Sequence, residues 1–490
     1  MAGDLTLREK IAHLLRRFGL GATRAELDEL EKLGLEGAIH RLLDYDAVDP
    51  GIDPSPWEFA FTEGDQLNLD SPRFAQYWTY RMLMTRRPVE EKLTLFWHDH
   101  FAVSAAKVEF GPMMLEYLNT LRSHACGNFR TMLGAISRDP AMMQWLDLSQ
   151  SNKFSPNENF ARELLELFTM SKGYTEGDVK EVARAFTGWS AIPTWLDPQK
   201  GDYPDQIKRT VKQGGPLILF IIVPLLQDTG TKTILGQTGN FDQDDVLDML
   251  VARPETAENV TTKLWEFFAY PNPEPSVKAR LQRAFVSSKF EIRPVLHEIA
   301  KSDEFYSAKC VRTKVKSPVD FTVALLRQLE LQPILKTLRK PDAKLDTPIA
   351  NEITGATGFL VGWMNQQGML LLYPPDVGGW EWGEKWITSA AMLARMQTAD
   401  LLFGNDKEVR PLTDYVAKQI NGTGRANSLE VARAFADRFD ASIPQPKLEL
   451  LADACEKRGG PQSLLTPAKA APLLGEMGKL LFGMPEFNMG

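Results

Sequence analysis

The sequence predicts a mainly α-helical protein, one large multi-helix domain with irregular or β-containing loops inserted near 190–245 and 335–360. Three observations carry that reading. Apolar residues recur at helical spacing over most of the chain, and helix-start and helix-stop residues bracket those stretches. Two stretches, 190–245 and 335–358, lose the periodicity and turn polar.

The elements follow in order. Leu5 to Phe18 places Ile11, Leu14, Leu15 and Phe18 at helical spacing, closed by Gly19 and Gly21. Thr23 then caps a helix through Leu33, with Glu26 completing a capping box. Residues 43–72, rich in Asp and Pro, predict a long loop. Helices are expected near 73–86, 88–101, 110–124, 127–137, 157–171 and 177–187. In 190–245 the apolar run PLILFIIVPLL (216–226) predicts a buried strand or core segment; it contains Pro224 and falls short of the ~20 residues that span a bilayer. Helical periodicity returns at 244–252, 255–270, 275–287, 293–301 and 317–331. Beyond the loop 373–383, helices are expected at 388–403, 410–420, 428–438, 445–457 and 466–481. The organisation is thus an N-terminal helical part (1–190), a loop-rich insertion (191–245) and a C-terminal helical part (246–490) packed with 1–190 as one unit.

A chain of 490 residues, 43% hydrophobic and 24% charged, buries a large core and needs no disulfide or metal to fold. Its formal net charge of −8 argues against a general nucleic-acid binder, which needs a basic footprint. Cys126, Cys310 and Cys455 lie far apart with no CxxC, so neither a disulfide framework nor a thiolate zinc site is expected. The first twenty residues are charged and amphipathic, without the apolar core of a signal peptide, which predicts a soluble chain with no membrane span.

Four stretches carry chemistry-bearing residues. In RRPVEEKLTLFWHDHFAVS (86–104), Pro88 suits the first helical turn, and Glu90 and Glu91 sit where the helix dipole favours negative charge. His98 and His100 diverge by about 200° on a helix, so they share a metal only if the helix ends there. Either they are a surface and a core histidine, or with Asp99 they form a titratable site. In SPNENFARELLELFTMSKGYT (155–175), Ser155, Pro156 and Glu158 predict a capping box. Glu158, Asn159, Arg162, Glu163 and Glu166 share an arc of about 140° opposite Phe160, Leu164, Leu167 and Phe168. That face is either solvated, with Glu158–Arg162 as an i,i+4 pair, or the wall of a cleft. In LQDTGTKTILGQTGNFDQDDV (226–246), Asp228 or Lys232 could face a ligand, although no phosphate loop is present; Asp242, Asp244 and Asp245 are most simply a helix cap and lack the EF-hand pattern. In YPPDVGGWEWGEKWIT (373–388), Trp380, Trp382 and Trp386 stand beside Asp376 and two glycines, as a stacking surface for sugar rings or a cover over the core.

The segments HLLRRFGLGAT (13–23), EKLTLFWHDHFAVS (91–104), NENFARELLELFTMSKGYT (157–175), KEVARAFTGW (180–189), DTGTKTILGQTG (228–239) and LLYPPDVGGWEWGEKWI (371–387) occur together in one bacterial family. Over nearly its whole length the chain resembles the domain-of-unknown-function 1800 family. The resemblance implies a predominantly helical fold and a family often found among exported bacterial proteins, whether periplasmic or extracellular; it implies no established reaction. The family pattern has a histidine just before the Asp-x-Gly that corresponds to Asp228–Gly230, where this chain has Gln227.

Two function classes follow. The first is a hydrolase acting on a polysaccharide or other extracellular polymer, a glycosidase for example, by carboxylate acid/base chemistry. Its candidate catalytic groups are Glu163, Glu158, Asp99, Arg162, His98 and His100. Its candidate substrate-binding groups are Trp380, Trp382, Trp386, Asp376 and Asn159. Glu163 is preferred as acid or base because Glu158 is the expected capping residue, and one pocket is expected to gather His98 or His100 with Glu158, Arg162 and Glu163. A metal-assisted version recruits a divalent metal through His98, His100 and Glu163. The second class is a non-catalytic binding or assembly protein that uses the Trp-rich loop as its contact surface.

Overall fold

The computed structural model describes residues 5–62, 66–195, 203–330, 332, 336, 338, 347–403, 410–421 and 426–490. Helix dominates them, and the strands are short. Thr23 caps Arg24–Glu31 through the expected box with Glu26, Asp242 caps Gln243–Val251 by accepting from the amides of Asp244 and Asp245, and proline opens Pro88–His100. Helices the periodicity left unassigned also occur, among them Gly34–Leu43, Pro56–Ala60, Pro140–Trp145 and Tyr203–Lys212.

Three expectations are corrected. The strand content is not confined to the two inserted stretches, because Phe61–Thr62 pairs antiparallel with Gln66–Leu67. Residues 351–360, expected among irregular or β structure, lie in the helix Asn351–Gln366. Its buried positions Ile353, Thr357, Val361 and Met364 recur every three to four residues, so tertiary burial overrides the weak helix propensity of its glycines. Residues 335, 337 and 339–346 of that stretch lie outside the described residues. Finally, the apolar run 216–226 is not a buried segment: among the described residues Ile218–Ile222 pairs only with Trp189–Pro193, and Leu219 and Leu225 are exposed. A two-stranded ribbon has one face to pack, and Phe220 meets Trp189 edge-on at 4.9 Å across it.

The main core runs from Ile11 to Trp386 and draws on helices from both ends of that span. A second cluster joins Phe321, Leu325 and Leu329 to the helices after Ser389. The Pro88–His100 helix crosses the first core and is buried along almost all of its length. Its Glu91 is fully buried and accepts from Trp78 Nε1 at 2.9 Å, Arg81 Nε at 2.8 Å and Arg122 Nε at 2.9 Å. The two guanidiniums hold its carboxyl below the usual range against the burial that pushes it up. Glu91→Gln keeps the shape and leaves two largely buried cations without their carboxylate. It is expected to cost about 3–5 kcal/mol, read as a lower urea midpoint with an unchanged slope.

Candidate functional site

The π-helical turn Leu164–Phe168 ends the helix that begins at Glu158. A wider turn leaves its last carbonyls without i−4 partners, and three neighbouring side chains take them up. Lys263 Nζ donates to Leu167 O at 3.0 Å, His100 Nε2 to Phe168 O at 3.2 Å and Asn259 Nδ2 to Thr169 O at 2.7 Å. This turn therefore ties the end of Pro88–His100 to the helix Pro254–Phe268.

Between those two helices and the loop 373–387 lies a cleft of about 720 Å³. Asp99, His100, Lys263, Glu266, Thr313, Lys314 and Glu384 supply its polar groups, and Phe96, Phe267, Tyr270, Trp380 and Trp382 its aromatic ones. Asp99 stands in the last turn of its helix, and both of its oxygens reach the loop: Oδ1 accepts from the Trp380 amide and Oδ2 from Trp382 Nε1, each at 2.7 Å. The loop approaches this closely because residue 379 is glycine. Its φ is +82°, and a Cβ there would stand 2.3 Å from Asp99 Oδ1.

Burial pushes the Asp99 carboxyl up to about 7, against the two loop hydrogen bonds and the charges of Lys263 and Lys314. The negative end of the helix dipole acts in the same direction as burial. Burial also lowers both lysines, Lys314 to about 7. The cleft thus holds a carboxyl and an amine that both exchange protons near neutrality.

The two histidines are neutral, for burial holds His98 down at about 3 and His100 well below its ordinary value. A carbonyl can only accept, so His100 carries its hydrogen on Nε2, and its Nδ1 lone pair is buried without a partner. Tyr117 donates its hydroxyl hydrogen to Phe101 O at 2.7 Å, so it accepts from His98 Nδ1 at 3.3 Å. His98 is packed between Trp78, Tyr117 and Trp380 and does not line the cleft.

The remaining expected residues stand elsewhere. Glu158, Arg162 and Glu163 do not line this cleft; Arg162 bonds Glu176 at 2.8 Å and reaches Glu158 at 3.4 Å on the outer face of their helix. The shared pocket expected for them with the histidines is therefore corrected: the polar arc faces solvent, and only Leu167 of that segment enters the cleft. Glu158 is not the capping residue either, because Asn157 caps the helix and Ser155 belongs to the preceding turn. Burial and Glu166 raise the half-buried Glu163, and Arg162 opposes them. Asn159 reaches only Asp147, at 3.5 Å. Asp376 accepts from the Gly378 amide at 2.8 Å within its own turn, and Trp386 is buried outside the cleft. Asp228 and Lys232 are engaged internally, with Arg184 and with the Asp228 and Gly230 carbonyls.

The metal expectation is also corrected. His98, His100 and Glu163 do not bring ligand atoms together; among the described residues the group that does is His40, Asp44 and His297. There Asp44 accepts from His40 Nδ1 at 2.7 Å and His297 Nε2 at 2.9 Å, with the Arg293 guanidinium 3.6 Å away. That cation competes with any metal for the same carboxylate.

Lys263, Glu266 and Lys314 were not singled out from the sequence. Lys263 stands one turn from Val260 and Phe267 in a helix of mixed polarity, and none of the three carried a local signal.

Residues 13–489 match the family described as "Protein of unknown function (DUF1800)", and the chain belongs to that family. No curated protein and no solved structure matches it.

Proposed function

We propose that this member of the family is a hydrolase whose cleft takes a segment of a polysaccharide or other extracellular polymer, with Asp99 as its acid/base group. The observation that carries the reading is a carboxyl with a midpoint near 7 on the wall of a deep cleft lined by aromatic rings. A group poised at working pH serves a proton transfer in either direction. Glu266, on the facing helix, is the second carboxyl of the pair that glycoside hydrolysis needs. Trp382 and Phe267, edge-on at 5.1 Å, offer apolar surface to a sugar ring. Relative to the sequence expectation, the acid/base role moves from Glu163 to Asp99.

One observation favours the second reading, a binding or assembly protein. Both Asp99 oxygens are already held by the loop, so the carboxyl also works as the latch that shapes the cleft. Release of reducing ends from a panel of neutral and acidic polysaccharides separates the two. Turnover by the purified chain supports the hydrolase, whereas saturable binding of an oligosaccharide without cleavage favours the binding protein.

A further inference from the structure

Behind the cleft, and sharing Phe267, Lys314 and Val315 with it, lies a smaller cavity of about 30 Å³. Five cationic side chains line it, Arg16, Arg17, Lys92, Lys314 and Lys316, against the carboxyls of Asp320 and Asp440, with the last residue, Gly490, at its edge making no ion pair within 4 Å among the described residues. Both carboxyls are already committed. Asp320 pairs with Lys92 and completes the capping box of its own helix, Pro318–Gln328, by accepting from Ser317 Oγ. Asp440 is shared by Arg16 at 2.6 Å and Arg312 at 3.0 Å.

Arg17, Lys314 and Lys316 are left with no ion pair among the described residues. Arg17, 3% exposed, donates Nη2 to Cys310 O at 2.5 Å, while its Nε and Nη1 are buried without a partner. Lys314 donates only to the carbonyls of Phe267 and Glu266, and the Lys316 ammonium stands 4.1 Å from the Phe487 ring centre. Burying several like charges without compensation is costly, and unpaired guanidinium N–H groups add to the cost. A water molecule there would accept those hydrogens but leave the charge excess untouched.

We propose that this cavity is a binding site for one small inorganic anion of chloride size, held by Arg17 and Lys316 and bordered by Lys314. Its volume suits one compact ion rather than a polymer group, and three cations without a carboxylate set the sign of the charge it takes. Burial, joined by repulsion from the neighbouring arginines and Lys92, holds Lys314 and Lys316 down at about 7, and a bound anion would restore them toward full charge. The proposal is independent of what the cleft turns over.

The test is the melting temperature of the full chain as sodium gluconate is replaced by sodium chloride at constant ionic strength and pH. The expected result is a saturable rise in Tm, since a ligand that binds only the folded state stabilises it. Lys316→Met is expected to abolish that rise. Crystals grown in bromide provide a readout that needs no variant, with an anomalous peak expected beside Arg17 and Lys316. Equal Tm in the two salts, a chloride response that persists in Lys316→Met, or bromide found only outside the cavity would overturn the proposal.

Discussion

Asp99→Asn is expected to lower turnover by about 10²–10⁴-fold, the usual contribution of a positioned acid/base group. It also changes how stability depends on pH. The folded carboxyl titrates near 7 and the unfolded one near its ordinary value of 3.8, so between those limits the folded state binds the extra proton. Stability from this group is complete below about 4 and is lost as pH rises through 7. The shift corresponds to at most on the order of 4 kcal/mol. Asn cannot ionise, but its Nδ2 faces one of the two loop donors and forfeits that hydrogen bond, so the variant is the less stable protein at pH 4. The difference from the native chain should shrink or reverse by pH 8. Asp139, also raised by burial to about 7, adds a slope of the same sign to both proteins and cancels in the comparison. Urea denaturation of the two proteins from pH 4 to 8 measures the difference, and a gap that does not change with pH would contradict the assignment.

Gly379→Ala is expected to undo the cleft as a whole. The added carbon would stand 2.3 Å from Asp99 Oδ1 and 2.6 Å from its carbonyl oxygen, at a φ of +82°. The backbone strain alone is worth about 1–3 kcal/mol, and the loop can relieve the clash only by moving off Asp99. Both 2.7 Å hydrogen bonds then break, and the indoles of Trp380 and Trp382 meet water. Lower stability, a red shift in tryptophan emission and loss of any cleft ligand should appear together. Gly378→Ala is the control. Its φ is not in the left-handed region and its added carbon meets only Asp376 Oδ1, at 3.1 Å, so its effect should be much smaller.

Much of the helical framework was legible because caps and periodicity are local: Thr23 with Glu26, Pro88, and the Asp242 cluster all act within one turn. What was not legible depended on partners distant in sequence. The charged arc of Glu158, Arg162 and Glu163 looks the same on a wheel whether it meets water or a cleft, and Glu176 decided the matter by pairing with Arg162. The segment still borders the cleft through Leu167, and its π turn supplies the carbonyls that Lys263 and His100 cap. Asp99 and the Trp loop both stood out from the sequence, but nothing local joins residues 281 positions apart. Lys314 and Lys316 give no periodic signal at all; only the folded chain brings them to Arg17 and Asp320.

We propose that the Asp99 cleft, not the Glu163 face, is where a polymer is cleaved. Side-by-side turnover of Asp99→Asn and Glu163→Gln on a polysaccharide that the native chain degrades tests it most directly. The account predicts that Asp99→Asn loses at least about a hundredfold while Glu163→Gln stays within a factor of about three of the native rate. Loss confined to Glu163→Gln, with Asp99→Asn fully active, would contradict it.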